Sequence, residues 1–186
     1  MNSRRSPPGR LIYVMGASGV GKDSLLRELR RRRPDALVAH RYITRASGGA
    51  ENCIELSPEA FAWRREQGLF CLDWQAHGLR YGIGIEAEAW LAAGHTVVLN
   101  GSRRAWEHAR SRFGEALVPL VVVAEPEVLR ERLIARGRET ATEIEARLAR
   151  RSEAVEPVEA VRIDNSGELV RAVEALETWL DRKTSA

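Results

Sequence analysis

The chain has 186 residues, of which 44% are hydrophobic and 30% charged, a composition typical of a globular protein and not of a disordered or fibrous chain. This length suits one domain with small insertions and is enough to bury a core without disulfides or metal. No apolar run approaches the roughly 18 residues of a membrane span, and residues 1–9 are polar, so we expect a flexible tail and a soluble, cytoplasmic protein. Cys53 and Cys71 stand alone, so neither a disulfide framework nor a zinc site is expected.

The basic residues are almost all arginine. The formal net charge is +3, and Lys22 and Lys183 are the only lysines among the 29 basic side chains. A GC-rich coding background would produce this bias without functional meaning, whereas an arginine-rich surface for nucleic acid is the alternative. The arginines are spread along predicted helices and interleave with glutamate, which favours the first explanation. A lysine in such a chain is therefore expected where arginine cannot replace it.

Short apolar strands alternate with helices along most of the chain. The predicted strands are 11–15, 36–40, 96–100, 117–124 and 161–163. The predicted helices are 23–33, 86–93, 104–113, 127–136, 142–154 and 168–180. This alternation predicts a mainly parallel sheet covered by helices on both faces. Residues 41–84 break the pattern, with one short helix from Ser57 and Pro58 to near Gly68, and are predicted to form an insertion with its own small surface.

A glycine-rich segment follows the first predicted strand and opens the first helix, which is the context of a phosphate-binding loop. Glycines let backbone amides turn toward phosphate oxygens, the helix N-terminus adds partial positive charge, and the lysine reaches the β- and γ-phosphates of a nucleotide. The predicted nucleotide-binding residues of this loop are Gly16, Ala17, Ser18, Gly19, Val20, Gly21, Lys22, Asp23 and Ser24.

The two residues after the lysine depart from the usual loop pattern, in which serine or threonine directly follows the lysine and binds Mg²⁺. Here Asp23 takes that place and Ser24 comes next. A carboxylate at a helix start is a hard oxygen ligand suited to Mg²⁺, although it also stabilises a helix N-terminus without any metal. Both residues are therefore candidate metal ligands.

The chain resembles the guanylate-kinase branch of P-loop nucleoside-monophosphate kinases. The resemblance rests on the phosphate loop, on Tyr-Ile-Thr-Arg at 42–45, on Tyr-Gly at 81–82 and on Arg-Leu-Ile-Ala-Arg-Gly at 132–137. It implies a three-layer α/β P-loop fold over 10–186, with an acceptor-binding insertion at about 41–84 and a lid at about 137–147. It also implies acceptor contacts from Arg45, Glu51 and Tyr81, and lid arginines at Arg136 and Arg147 that act on the transferring phosphoryl group.

Alternatives remain open for several of these residues. The lid arginines can equally form a solvated helix face, and Glu143 and Arg147 are spaced for an i,i+4 ion pair. Asn165 follows the last strand, where the family contacts adenine, but its Ser/Asn/Gly surroundings also suit a helix start. His77 could contact the acceptor or have no role.

The departures from the family pattern concern the acceptor. The glutamate and the hydroxyl residue that contact guanine in guanylate kinases align with Leu72 and Ile83. Apolar side chains at these positions would leave the polar edge of guanine without hydrogen bonds, at a cost of about 1–3 kcal/mol per unpaired group. Where the family has an acidic strand end, this chain offers Asn100, Ser102 and Arg103. Ligands of parallel sheets bind beyond the carboxyl ends of the strands, so these three side chains are predicted to face the acceptor.

This set of changes resembles the kinases of phosphonate breakdown that act on ribose 1,5-bisphosphate. The resemblance implies Mg²⁺-dependent transfer of the γ-phosphoryl group of ATP to the 1-phosphate, giving 5-phosphoribosyl 1-diphosphate (PRPP) and ADP, with a phosphorylated sugar as partner and no nucleic acid or membrane. The alternatives are a guanylate kinase with an altered acceptor pocket and a guanylate-kinase-like interaction module without catalysis. An intact phosphate loop argues against the second.

Overall fold

The computed structural model describes residues 9–45, 52–76, 78–137, 140–152 and 156–184. The described residues form nine strands, in chain order β1 Arg10–Gly16, β2 Leu37–Val38, β3 Arg41–Ile43, β4 Cys53–Glu55, β5 Phe70–Ala76, β6 Leu79–Gly84, β7 Thr96–Asn100, β8 Leu117–Val123 and β9 Val161–Asp164. The helices of the described residues are α1 Lys22–Arg32, α2 Pro58–Glu66, α3 Glu86–Ala92, α4 Trp106–Phe113, α5 Pro126–Arg136, α6 Ala141–Ser152 and α7 Leu169–Thr184. Two 3-10 turns, Arg103–Ala105 and Gly114–Ala116, flank α4.

The main sheet has five strands in the order β2-β7-β1-β8-β9, and every pair in it is parallel. Residues 11–15 of its central strand β1 are buried and carry hydrophobic or aromatic side chains because both faces of the strand are covered. Ile12 and Val14 face a core beneath α1 and α7, whereas Leu11, Tyr13 and Met15 face a second core with α3 and α4. The predicted mainly parallel sheet with helices on both faces is therefore confirmed.

The segment 41–84 is predicted from the sequence pattern to be irregular, but its described residues form four strands. They form a second sheet in the order β4-β3-β6-β5, in which β3 pairs antiparallel with β6 and β6 pairs antiparallel with β5. Helix α2 covers one face of this sheet, with Phe61 against Phe70 at 4.6 Å between ring centroids. The start of α2 is as predicted: the Ser57 hydroxyl accepts a hydrogen bond from the Ala60 amide, and Pro58 occupies the first turn.

The other face of the second sheet joins the core of the main sheet. Leu72 and Ile83 lie opposite each other on β5 and β6, and they pack with Leu99 of β7 and Trp106 of α4. The two sheets therefore share one hydrophobic cluster, which fixes the edge of the second sheet close to the carboxyl ends of the main strands. Within the part of the chain that the structure describes, no helix is long and apolar enough to cross a membrane.

Candidate active site

The phosphate loop connects β1 to α1 and depends on glycine at two positions. Gly19 and Gly21 have φ angles of 86° and 94°, a left-handed conformation that side chains with a Cβ rarely adopt. A Cβ on Gly21 would lie 2.4 Å from Nδ2 of Asn165, and one on Gly19 would lie 2.9 Å from a methyl group of Leu133. The loop is therefore packed closely on both sides, and its backbone path requires these glycines.

Lys22 begins α1 and lies folded over the loop. Its ammonium donates hydrogen bonds to the carbonyl oxygens of Gly16 and Ala17, at 2.8 and 3.0 Å. Burial lowers the pKa of Lys22 to about 8, Asp23 acts in the opposite direction, and Arg41 and Arg103 add to the lowering. Two arginines from other parts of the chain are thus close enough to Lys22 for their charges to act on it.

Asp23 connects α1 to the two sheets. One of its carboxylate oxygens, Oδ1, accepts a hydrogen bond from the Asn100 amide at 2.7 Å and lies 3.7 Å from Nη2 of Arg41. Asn100 ends β7 and is only 7% exposed, and its Oδ1 accepts no hydrogen bond within the described residues. The predicted acceptor residue Asn100 and the predicted metal ligand Asp23 are therefore in direct contact.

The side chains present here fit a Mg²⁺ ion that is shared with nucleotide phosphates. The Asp23 side chain is 44% exposed, and its contacts with Asn100 and Arg41 involve Oδ1, which leaves Oδ2 available to a cation. The Ser24 hydroxyl is one residue further along the same helix. Among the described residues, no group of three or more histidine, cysteine or acidic side chains could hold a metal ion. A site with one carboxylate is the pattern expected where water and substrate phosphates supply the other ligands.

Arg103 follows β7 in the 3-10 turn that precedes α4. The backbone before it is held by Tyr13, whose hydroxyl donates to the Ser102 carbonyl at 2.8 Å and accepts from the Ser102 amide at 3.1 Å. The Ser102 hydroxyl accepts from the amide of Arg104 and so caps the turn. The guanidinium of Arg103 forms no hydrogen bond or ion pair within the described ranges, although its charge lowers the pKa of Lys22. Its charge is therefore available to a ligand.

The predicted acceptor residues on the second sheet lie along β3 and β6. Tyr81 on β6 stacks on Trp74 of β5, with ring centroids 5.4 Å apart and planes inclined by 8°, and the Arg41 guanidinium lies 5.4 Å from the Tyr81 ring centroid. Arg45 is half-buried just beyond β3, where the Thr44 hydroxyl accepts a hydrogen bond from the amide of Arg80. Glu51 and His77 lie outside the described residues.

Leu72 and Ile83, which align with the guanine-reading positions, are closed off from solvent. Their exposed fractions are 1% and 0%, and both belong to the hydrophobic core. Cys71 and Trp74 of β5 pack in the same cluster, and the polar residues of these strands, Asp73, Gln75 and Arg80, are not part of it. This part of the second sheet offers hydrophobic packing where guanylate kinases have polar contacts to the base.

Asn165 and Arg132 hold the phosphate loop from outside. The Asn165 amide donates to the Val20 carbonyl at 2.8 Å, and Arg132 donates to the same oxygen at 3.4 Å. Asn165 is 2% exposed, and α7 begins four residues later at Leu169, so this side chain supports the loop instead of starting the helix. Sequence reasoning did not select Arg132 or Arg41. The Arg-Leu-Ile-Ala-Arg-Gly motif contains the first, whereas nothing local marks the second.

The predicted lid corresponds to the end of α5 and to α6. Arg136 is exposed at the last residue of α5, and Arg147 is part of α6, although its side chain lies outside the described residues. Leu129 and Leu133 of α5 form a small cluster with Ile144 of α6, and Ala17 of the phosphate loop packs against it.

Polar contacts add to this packing between α5 and α6. The Arg130 guanidinium makes two hydrogen bonds to the Glu145 carboxylate, at 2.9 and 3.0 Å. Glu143 accepts hydrogen bonds from the amide and hydroxyl of Thr140, and this capping box starts α6. Helices α5 and α6, of which α6 includes part of the predicted lid at about 137–147, are therefore held to each other, and their shared hydrophobic cluster packs against Ala17 of the phosphate loop.

The chain is similar to known proteins over most of its length. The family model described as AAA domain matches residues 12–154. A ribose 1,5-bisphosphate phosphokinase PhnN from Burkholderia pseudomallei is 51% identical over 176 residues, which cover 92% of this chain and 95% of that protein. A protein of the same name from Enterobacter lignolyticus is 48% identical over 168 residues, covering 89% and 88% of the two chains.

Solved structures give the same fold at low sequence identity. Guanylate kinase from Anaplasma phagocytophilum superimposes with a TM-score of 0.73 at 15% identity, covering 96% of this chain and 87% of that one. A gluconokinase from Sinorhizobium meliloti 1021 gives a TM-score of 0.52 at 21% identity, with coverages of 96% and 94%. These structures establish the α/β P-loop kinase fold, as predicted. By the identity it shares with the curated relatives over nearly its whole length, the chain belongs to the family of ribose 1,5-bisphosphate phosphokinases PhnN.

Proposed function

We propose that this protein transfers the γ-phosphoryl group of ATP to the 1-phosphate of ribose 1,5-bisphosphate, giving 5-phosphoribosyl 1-diphosphate and ADP. The observation that carries the proposal is the combination of charge and hydrophobic packing at the acceptor side. Lys22 and Arg103 bring positive charge together beyond the main strands, while Leu72 and Ile83 offer no polar group to a base. A small sugar with two phosphates and no base fits this combination.

In this mechanism the amides of the phosphate loop and the Lys22 ammonium hold the β- and γ-phosphates. An oxygen of the acceptor 1-phosphate attacks the γ-phosphorus, and the bond from that phosphorus to the bridging β–γ oxygen breaks, so that ADP leaves with the electron pair. A phosphate oxygen is already anionic at neutral pH, so the protein needs no general base. Its contribution is positioning and electrostatic stabilisation.

The remaining site residues act on charge and orientation. Asp23 and Ser24 would hold Mg²⁺, which neutralises charge on the phosphates when it is bound. In the proposed mechanism Arg103, Asn100 and the hydroxyl of Ser102 face the acceptor, and Arg45 and Tyr81 contact it from the side of the second sheet. Glu51 is also proposed to contact the acceptor, as the family resemblance implies. Arg136 and Arg147 reach the transferring phosphoryl group when the lid closes. Asn165 keeps the loop in position and adjoins the adenine-binding side.

An acceptor panel assayed by ADP release tests this proposal. Ribose 1,5-bisphosphate and GMP are compared side by side with ATP as donor, and the sugar product is identified as the 1-diphosphate by phosphorus NMR. We expect the catalytic efficiency with the sugar to exceed that with GMP by at least about 10²-fold, the difference that two unpaired polar contacts produce. Equal or better use of GMP would reject the proposal in favour of a guanylate kinase, and the absence of any turnover would favour an interaction module.

The proposal includes a cytoplasmic location, because ATP and sugar phosphates are metabolites of that compartment. It also includes a small phosphorylated sugar as the partner, with no nucleic acid. A strong salt dependence of duplex binding at physiological ionic strength would contradict the second statement.

A further inference from the structure

Arg41 lies where the second sheet meets the phosphate loop. It is the first residue of β3, opposite Ile83 of β6, and its side chain is only 14% exposed. Its Nη2 atom is 3.7 Å from Oδ1 of Asp23, and its guanidinium carbon is 5.4 Å from the centroid of the Tyr81 ring. The arginine is thus held between a carboxylate of the donor side and an aromatic ring of the acceptor side.

The charge around Arg41 is strongly positive. Arg41, Arg103 and Lys22 interact electrostatically, and Asp23 is the carboxylate that acts on the same lysine. Three cations near one another and partly removed from water repel each other, so this arrangement is unfavourable until an anion binds among them. The planar guanidinium also matches phosphate oxygens in a two-point contact.

We propose that Arg41 binds the accepting phosphate of the substrate, which is the 1-phosphate of the sugar if the proposed function holds. The assignment to this phosphate follows from position. In-line transfer requires the accepting phosphate to lie next to the γ-phosphate, and the γ-phosphate is held by Lys22. Nη2 of Arg41 lies 3.7 Å from the carboxylate of Asp23, the residue that follows Lys22, whereas a phosphate at the other end of the sugar would lie further from the loop. Asp23 and Tyr81 hold the guanidinium in place before the substrate arrives.

The test compares Arg41→Gln with the wild-type protein for three ligands. The catalytic efficiency with ribose 1,5-bisphosphate should fall by about 10- to 100-fold, the loss expected for charge-assisted hydrogen bonds to one phosphate. The dissociation constant of a non-hydrolysable ATP analogue, measured without acceptor, should stay within about twofold. Ribose 5-phosphate lacks the 1-phosphate, so its inhibition constant as a competitor of the acceptor should also stay within about twofold.

A matched control is Arg64→Gln. Arg64 lies over the Tyr42 ring at the same 5.4 Å but extends from α2, on the face of the second sheet away from the loop. This variant should keep the catalytic efficiency within about twofold. Arg41→Lys keeps the charge without the two-point contact, and it should lose efficiency toward the acceptor to a smaller extent than Arg41→Gln. It also provides the measurement if Arg41→Gln does not fold, as judged by thermal unfolding.

Three results would overturn the inference. An unchanged efficiency in both Arg41 variants would show that the arginine does not bind the acceptor. Equal weakening of ribose 5-phosphate would assign Arg41 to the other phosphate, and equal weakening of the ATP analogue would assign it to the donor side. If the wild-type protein prefers a different phosphorylated acceptor, the proposed function is wrong, and the same comparison with that acceptor decides the role of Arg41 separately.

Discussion

Replacing Tyr13 by phenylalanine removes a single hydroxyl that organises the acceptor side of the site. The hydroxyl makes two hydrogen bonds to the backbone of Ser102, at 2.8 and 3.1 Å, and Tyr13 has no exposed surface. The ring would remain, with its contact to Trp106 at 5.6 Å between centroids. Loss of the hydroxyl leaves a partly buried amide and carbonyl of Ser102 without these partners, which should cost about 1–3 kcal/mol of unfolding free energy.

The same change should affect catalysis on the acceptor side alone. Ser102 directly precedes Arg103, so a less fixed backbone at Ser102 should raise the KM for ribose 1,5-bisphosphate and leave binding of an ATP analogue unchanged. Burial raises the pKa of Tyr13 to about 12, so the hydroxyl keeps its proton across the pH range of the assay.

Urea denaturation and thermal unfolding measure the stability effect of Tyr13→Phe. A loss of about 2 kcal/mol corresponds to a fall of about 4–8 °C in Tm for a chain of this size. Tyr42→Phe is the matched control, because Tyr42 packs on Phe70 at 5.3 Å and its hydroxyl forms no hydrogen bond among the described residues. The control should change stability by less than about 0.5 kcal/mol. Equal effects of the two substitutions would refute the role assigned to the Tyr13 hydroxyl.

Four further predictions concern the loop and its charges. Lys22→Ala should lower turnover by about 10²-fold or more without unfolding the protein. Lys22→Arg should also lose turnover, because the guanidinium is too broad for the loop. Turnover of Lys22→Ala within a few-fold of the wild type would contradict the loop assignment. The pKa of Lys22 is lowered to about 8, and binding of the ATP polyanion should raise this pKa. Calorimetry at pH 8 in buffers of different ionisation enthalpy should therefore detect proton uptake when ATP binds to the wild-type protein, and no such uptake with Lys22→Ala. Asp23→Ala should raise the Mg²⁺ concentration for half-maximal rate; an unchanged titration would reduce Asp23 to a helix-stabilising role of about 0.3–1 kcal/mol and leave Ser24 as the ligand. Arg103→Ala should lower the catalytic efficiency with ribose 1,5-bisphosphate while the affinity for an ATP analogue, measured without acceptor, stays the same.

The main sheet could be predicted from the sequence because its signals are local. The strand β8 is a continuous apolar run, and the prediction of 117–124 differs from the observed Leu117–Val123 by one residue. Strands buried on both faces need such runs, and the helices between them carry their own start and stop residues. The edge strand β2 is shorter than predicted, at Leu37–Val38, because only these two residues are paired with β7.

The second sheet could not be predicted in the same way. Strands β3 and β4 have three residues each, too few to show a period, and β3 is fixed by pairing with β6, which lies about forty residues further along the chain. The tertiary contacts of such strands, not their own sequence, decide their conformation. The insertion was visible only as an interruption of the regular alternation.

The candidate site also contains parts with a local sequence signal and parts that depend on long-range contacts. The phosphate loop is a local pattern of glycines and one lysine, and the structure places it between β1 and α1 as predicted. Arg41 and Tyr13 act through contacts with residues distant in sequence, at Asp23 and Ser102, and neither carries a motif of its own. The sequence predicts a nucleotide contact for Asn165, whereas its hydrogen bond to the Val20 carbonyl depends on the tertiary fold and has no local sequence signal.

These long-range contacts connect the donor and acceptor sides of the candidate site to the central strands of the main sheet. Strand β1 leads into the phosphate loop, and Tyr13 within it holds the backbone next to Arg103. Asn100 at the end of the neighbouring strand β7 bonds to Asp23 at the start of α1. The groups that act on the two reacting phosphates in the proposed mechanism are therefore positioned by adjacent strands of a packed sheet, so little of their ordering has to occur when substrates bind. In the proposed mechanism the movement is mainly that of the lid, and Leu133 of α5 and Ile144 of α6 lie in the cluster that packs on Ala17 of the loop. Substitutions in that small cluster should alter closure over the phosphates, whereas those beneath β1 and β7 should alter the alignment of donor and acceptor.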